Sequence, residues 1–252
     1  GGPVTVYLEV TQPVVPDGQG GTRKAIVDTV WGVSNVDPSV VLETRYNSYN
    51  VMQRINSGTD GFEGRNGGSY EPVDLFTADV TYKIWLVIDY NLNFYEAYIQ
   101  GGQWAEQTKI DTVDMSGIWL FRVNPAPEDV VQYFQVSLSR GESVDGEKGI
   151  DPTFFDNIAY DATGQNLSAP AVGGWNVVST FDDASALDLV SDMTNIEGSN
   201  ARSEVVDGKW AVYPGDLFED TSNLYAMLDM GTDLKAASIA SGEIGRASCR
   251  ER

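Results

Sequence analysis

The sequence predicts an all-β protein, an antiparallel β-sandwich in which two sheets pack face to face. Three observations carry that expectation. Apolar residues alternate with polar ones along short segments, as Val4, Val6, Leu8 and Val10 do with Thr5, Tyr7, Glu9 and Thr11, which is the two-residue period of a half-buried strand. Gly, Pro, Asp and Asn cluster between those segments, and many short strands with such turns indicate a sandwich or barrel. Helix signals are weak throughout, with one short turn expected within residues 229–240.

Each element follows in chain order. The first strand is broken by Pro13 and by Pro16-Asp17-Gly18, and residues 17–21 read as a hairpin loop. Residues 25–33 form a second strand ending at Ser34-Asn35. Residues 40–55, rich in β-branched and aromatic side chains, cover one or two strands, whereas 56–69, rich in Gly, Asp and Asn, read as an exposed loop. The strongest strand is 81–90. Tyr82, Ile84, Leu86 and Ile88 face one way, and Lys83, Trp85, Val87 and Asp89 face the other. Asn91-Leu92-Asn93 turns the chain, and 94–100 return as the hairpin partner, closing on Gly101-Gly102. Further strands are expected at 117–123, 131–140 and 153–161. A linker-like run at 166–174 precedes strands at 175–181, 201–213 and 223–228.

Composition narrows the function classes. A hydrophobic content of 42% with 11% aromatics supports a packed core. The 252 residues carry 16 basic against 37 acidic side chains, a formal charge of -21, with no His and one Cys. A phosphate backbone needs clustered Lys and Arg, so no nucleic acid is expected as a partner. The same charge opposes an anionic membrane surface, and no run of about 18 apolar residues is present to insert into a bilayer. The lack of His removes Ser-His-Asp and Cys-His nucleophile systems and the usual zinc sites. The glycines of 58–68 have no following Lys-Ser/Thr and helix, so they do not make a phosphate loop. The final ten residues, Glu243 to Arg252, match letter for letter a common sequencing adapter translated in one frame, and are set aside. Cys249 goes with them, leaving a chain without disulfides. The opening Gly1-Gly2-Pro3-Val4 runs directly into a strand, so the chain reads as a piece of a longer exported protein, extracellular or at the cell surface.

The hairpin of residues 81–90 and 94–102 resembles the central hairpin of concanavalin A-like and laminin-G-like domains, in which an aromatic-containing strand ends in Asp and its partner closes on Gly. Phe154 to Asp161 is similar to the closing strand of those domains, and the segments from Phe181-Asp182-Asp183 to Val212 are similar to their opening strands. The resemblance implies a jelly roll of exported bacterial proteins. The closing strand precedes the opening ones, so two organisations remain open: most of one repeat followed by the start of the next, or a permuted single domain. The first gives residues 1–165 as most of one repeat, 166–174 as linker, 175–242 as opening strands of a following repeat that also complement the first, and 243–252 as tail. Neighbouring repeats of the same chain are then partners.

The resemblance also implies a use for the sheet face. Sugar binding needs exposed aromatics for stacking, with Asn, Asp and Arg nearby for hydroxyls. Arg45, Tyr46, Asn47, Tyr49 and Arg54 supply that mixture, as do Trp85, Tyr95 and Trp104. The competing reading is that these rings fill the core or cap sheet ends. Related sandwiches fix a structural Ca2+ where opening and closing strands meet, which makes Asp156, Asp182 and Asp183 candidate ligands. Turn-forming Asp residues are the alternative. No catalytic residue is assigned. The Glu-x-Asp-x-Glu strand of concanavalin A-like hydrolases is absent, and Asp89 and Glu96 merely flank a hairpin turn. Arg202-Ser203-Glu204-Val205 resembles part of an alginate-lyase strand, but the Gln-x-His strand of those enzymes is impossible here. The leading expectation is a non-catalytic carbohydrate-binding or adhesive module, with a glycan or cell-surface ligand. A polysaccharide hydrolase or lyase fragment and a structural spacer repeat are the alternatives.

Overall fold

The computed structural model describes residues 2–25, 27–40, 46–56, 58–59, 61–140, 151–193, 201–214 and 224–238. Strands β1 (Val4–Thr11), β2 (Val14–Pro16), β3 (Thr22–Lys24), β4 (Val27–Ser34), β5 (Tyr49–Asn56) and β6 (Gly61–Asn66) come first. They are followed by β7 (Ser69–Leu75), β8 (Thr81–Asp89), β9 (Phe94–Gly101), β10 (Trp104–Lys109), β11 (Trp119–Leu120) and β12 (Tyr133–Arg140). The last are β13 (Thr153–Asp161), β14 (Asn176–Ser179), β15 (Val190–Met193), β16 (Ala201–Val206), β17 (Lys209–Pro214) and β18 (Leu224–Asp229). Helix is confined among the described residues to short 3-10 turns, including Ala184–Leu189, and one α-turn at 234–238.

All strand pairs are antiparallel. One sheet runs β10-β9-β8-β1-β13-β17-β16, with β11 also on β9 and β14 also on β13. The other runs β15-β18-β12-β4-β5-β6-β7. The alternation of β1 explains its central place. Val4, Val6, Leu8 and Val10 enter the core shared with Trp31, Val33, Phe134 and Val136 of the facing sheet and with Phe155 of the neighbouring β13, and burial of such side chains contributes about 1.5–3 kcal/mol each. The late strands join both sheets: β17 pairs with β13 and β18 with β12.

Two expectations change. Residues 61–66, foreseen as part of an exposed loop, form a strand, which pairs with a second strand at 69–75. Phe62 is fully buried, and a Cβ on Gly64 would lie 2.4 Å from the Trp119 ring, so that glycine makes room for an indole. The strand foreseen at 117–123 is reduced to Trp119–Leu120. The run at 166–174 packs across the outer face of the nine-stranded sheet. The Asn166 amide donates to Thr5 Oγ1 at 3.0 Å, Gln107 Nε2 to the Leu167 carbonyl at 2.9 Å, and Trp85 Nε1 to the Ser168 carbonyl at 2.9 Å.

Candidate functional site

Two recesses in the surface lie around the 3-10 helix Ala184–Leu189. After β14 the chain reverses at Phe181, whose φ of 51° is a left-handed conformation unusual for a non-glycine residue. The side chain is what holds it there: Phe181 is fully buried and stacks on Trp210 with ring centroids 5.5 Å apart. The next residues stay outside. Thr180 Oγ1 donates to Asp182 Oδ2 at 2.6 Å. Asp183 caps the helix, accepting from the Ser185 amide at 2.8 Å and the Ser185 hydroxyl at 2.5 Å. Those two bonds, to a carboxylate in open solvent, hold its pKa below the ordinary value.

Two cavities flank this helix. One, of about 390 Å3, is lined by Val177, Thr180, Asp182, Asp183 and Ser185 and reaches Leu189. The other, of about 180 Å3, is lined by Tyr133, Asp188, Ser191, Met227 and Asp229 and also reaches Leu189. Leu189 and Val177 are exposed. The floor therefore offers aliphatic surface, and the walls offer hydroxyls and carboxylates. Tyr133 donates to Asp37 Oδ2 at 3.1 Å, and burial together with that bond pushes its hydroxyl up to about 12.

Asp156, on β13, stands opposite Glu9 of β1. Half-burial raises its carboxyl to about 6, repulsion from Glu9 and Asp182 adds to the rise, and the Asn157 amide and Lys209 oppose it. Asp182 thus lies near enough to act on the Asp156 carboxyl. Each is nonetheless committed locally, Asp156 to the Asn157 amide and Asp182 to Thr180. Among the described residues no group of three or more metal-ligating side chains is assembled.

The residues named for sugar contact are dispersed. Arg45 lies outside the described residues, as does the tail from 243, and Tyr46 opens a 3-10 turn with Asn47 and Ser48. Asn47 is exposed and accepts from Arg122 Nη2 at 2.7 Å. Tyr49 and Tyr95 are fully buried. Tyr95 donates to the Arg65 carbonyl at 2.9 Å, so neither ring offers a face to a ligand. Trp85 is 2% exposed because Tyr7 and the 166–168 run cover it. Trp104 is half-buried, edge-on to Tyr82. Arg54 is paired with Glu63 and lies 4.1 Å over the Tyr70 ring. Asp89 caps its own turn, and Glu96 holds Lys109 at 2.7 Å. Sequence reasoning missed Thr180, Ser185, Leu189 and Tyr133. The Asp183-x-Ser185 spacing is a helix-cap signal and marks where the chain turns; the larger cavity is lined by residues 177–189 alone, whereas the smaller one takes walls from distant strands.

No helix among the described residues is long and apolar enough to cross a membrane. No family model, curated protein or solved structure matches the chain.

Proposed function

We propose that this chain is a non-catalytic carbohydrate-binding or adhesive module of an exported, cell-surface protein, of the concanavalin A-like or laminin-G-like jelly-roll kind. The observation that carries it is the pair of cavities sharing Leu189, which sets hydroxyls and carboxylates around aliphatic surface. A hydroxyl-rich chain uses both features, C–H faces on Leu189 and Val177 and hydrogen bonds to Thr180, Asp182, Asp183 and Ser185. Asp182, Asp183, Asp188 and Asp229 make the ligand a neutral glycan, since a polyuronate would be repelled. The pairing of β17 with β13 and of β18 with β12 supports the reading in which later strands complement the first repeat.

A glycan array run with and without Ca2+ tests this. Neutral oligosaccharides are expected to bind, and Thr180→Trp, which fills the larger cavity from an exposed position, weakens them at least about tenfold, or about 1.4 kcal/mol. Absence of binding in both conditions would move the reading to a structural spacer. One observation favours a second reading, a polysaccharide hydrolase or lyase: the opposed Glu9 and Asp156, one of them raised towards neutrality. Release of reducing ends or unsaturated products from a polysaccharide panel, abolished by Asp156→Asn, would establish it.

A further inference from the structure

We propose that the segment from Asp111 to Leu120 is a protein-docking platform for a segment that carries apolar side chains flanked by Lys or Arg. The first observation is where its apolar residues point. Val113 is 71% exposed, Met115 78%, Leu120 54% and Ile118 40%. Single exposed apolar residues are ordinary, but four within eight positions form a patch of the kind found at interaction sites.

The second observation is that the loop is built to hold them out. Met115 has φ 60°, a left-handed conformation disfavoured for a non-glycine residue. A knot of polar groups sustains it. The Met115 amide donates to the Thr112 carbonyl at 2.8 Å, and the Ser116 amide to Asp114 Oδ1 at 3.1 Å. The Gly117 amide donates to Thr112 Oγ1 at 3.2 Å, and Thr112 and Ser116 share a hydroxyl bond of 2.9 Å. A second chain of bonds fixes the loop against the β6–β7 hairpin. The Val113 amide donates to Glu71 Oε2 at 2.7 Å, Asn66 Nδ2 to Glu71 Oε1 at 2.8 Å, and the Leu120 amide to Asn66 Oδ1 at 3.1 Å. Two side chains thus bridge the backbones of Val113 and Leu120, so both ends of the exposed apolar segment are tied to one hairpin. Trp119, buried between Ile118 and Leu120, anchors it through Nε1 to the Ile110 carbonyl at 3.2 Å. Preorganisation of this kind removes the ordering cost of association.

The charge around the patch identifies the occupant. Glu71 and Asp114 take part in the bonds just described, Asp111 lies beside Gly117, and the neighbouring Lys109 is held by Glu96. The rim is acidic, in a chain of net charge -21. A second copy of this chain would bring like charge against like, and an anionic bilayer would be repelled. A basic segment with apolar anchors satisfies both features. The platform is independent of the cavities beside Leu189, so either reading can fail alone.

The test is fluorescence anisotropy on the full chain, with a labelled nonapeptide of alternating Leu and Lys as probe. Two further peptides, Ser replacing Leu and Glu replacing Lys, serve as comparisons. The Leu/Lys peptide is expected to bind at least about tenfold more tightly than either, and V113S/M115S to bring it down to the level of the Ser/Lys peptide. Equal affinity for the Leu/Lys and Ser/Lys peptides overturns the proposal, as does unchanged affinity in the variant. A self-association seen by sedimentation, or a pelleting with anionic vesicles, that disappears in V113S/M115S would assign the patch to another occupant and also overturns it. Both replaced side chains are solvent-facing, and an unchanged urea midpoint confirms that the variant is folded.

Discussion

Towards one edge of the nine-stranded sheet, β9 divides its outer side between β10 and β11; towards the other, β13 divides its outer side between β17 and β14. Each short strand delivers an aromatic plug. Trp119 of β11 stacks on Tyr95 with centroids 6.2 Å apart, and Phe181, just beyond β14, stacks on Trp210 at 5.5 Å. Each neighbourhood contains a non-glycine residue with positive φ, Met115 and Phe181. The sheets are also linked at both ends. Gln103 Nε2 reaches the Leu75 carbonyl at 2.8 Å, and Ser203 Oγ reaches Asp192 at 2.5 Å. Yet one end shows apolar side chains on a rigid loop and the other shows recesses walled by carboxylates and hydroxyls. Each plug is buried and serves the fold, while the exposed side chains beside it differ in chemistry from one end to the other.

Removing the plugs is expected to have the largest effect and to rank the two ends. Trp119→Ala and Phe181→Ala should each lose about 3–5 kcal/mol in urea denaturation. Trp119→Ala should be the worse, because the larger ring also leaves the buried Ile110 carbonyl without its indole donor. A greater loss for Phe181→Ala would show that the β13 end, not the β9 end, bears more of the closure. Next in size is Gly64→Ala. Its methyl group would meet three Trp119 ring atoms within 2.7 Å, and neither partner is free to withdraw. Overpacking of this kind costs about 1–3 kcal/mol. A neutral result would mean that Trp119 has another rotamer to adopt.

That glycine also shows where sequence reading stops. The two-residue period placed β1, β8 and β9 correctly, because each puts aliphatic or aromatic side chains on the core face and more polar ones on the other, even where that second face is itself covered. It failed at β6, where Gly61 and Gly64, with Gly67 and Gly68 in the turn that follows, give a loop-like composition. Gly64 is there for a Trp fifty-five positions away, and no local signal records that. The aromatics of the candidate site failed for a related reason. Alternation assigned Trp85 to the face opposite Ile84 and Leu86, which is where it lies. It could not show that residues 166–168 and Trp175 cover that face. Asp182 and Asp183 were legible as an oxygen-rich turn, and the cavity they line is local, whereas the second cavity depends on Met227 and Tyr133 arriving from other strands.

A smaller effect separates the ends by pH. Among the described residues, no carboxyl at the β9 end is raised as Asp156 is, to about 6, near the β13 end. The folded chain holds that proton more tightly than the unfolded chain does. The associated stability is therefore complete below the ordinary carboxyl pKa and is lost as pH rises through about 6. Asp156→Asn should raise the urea midpoint at pH 7.5, with a gain of about 1–2 kcal/mol once solvent screening of a half-exposed group is allowed for. At pH 4 the gain should vanish. A gain that persisted at pH 4 would assign it to packing rather than to charge.

The smallest effect concerns the two positive-φ residues. Phe181 tolerates its backbone because a buried ring repays the strain, so replacing it always loses more than it relieves. Met115 has no such compensation, since its side chain is the most exposed apolar group of the loop. Asn accepts the left-handed conformation with little penalty and avoids the extra chain entropy of Gly. Met115→Asn should therefore stabilise the chain, by about 0.5 kcal/mol, while removing an apolar anchor of the docking platform. Opposite signs for stability and peptide affinity in that one variant would mean that the strain at Met115 is kept for its partner, whereas a loss of both would mean that Met115 supports the fold as Phe181 does.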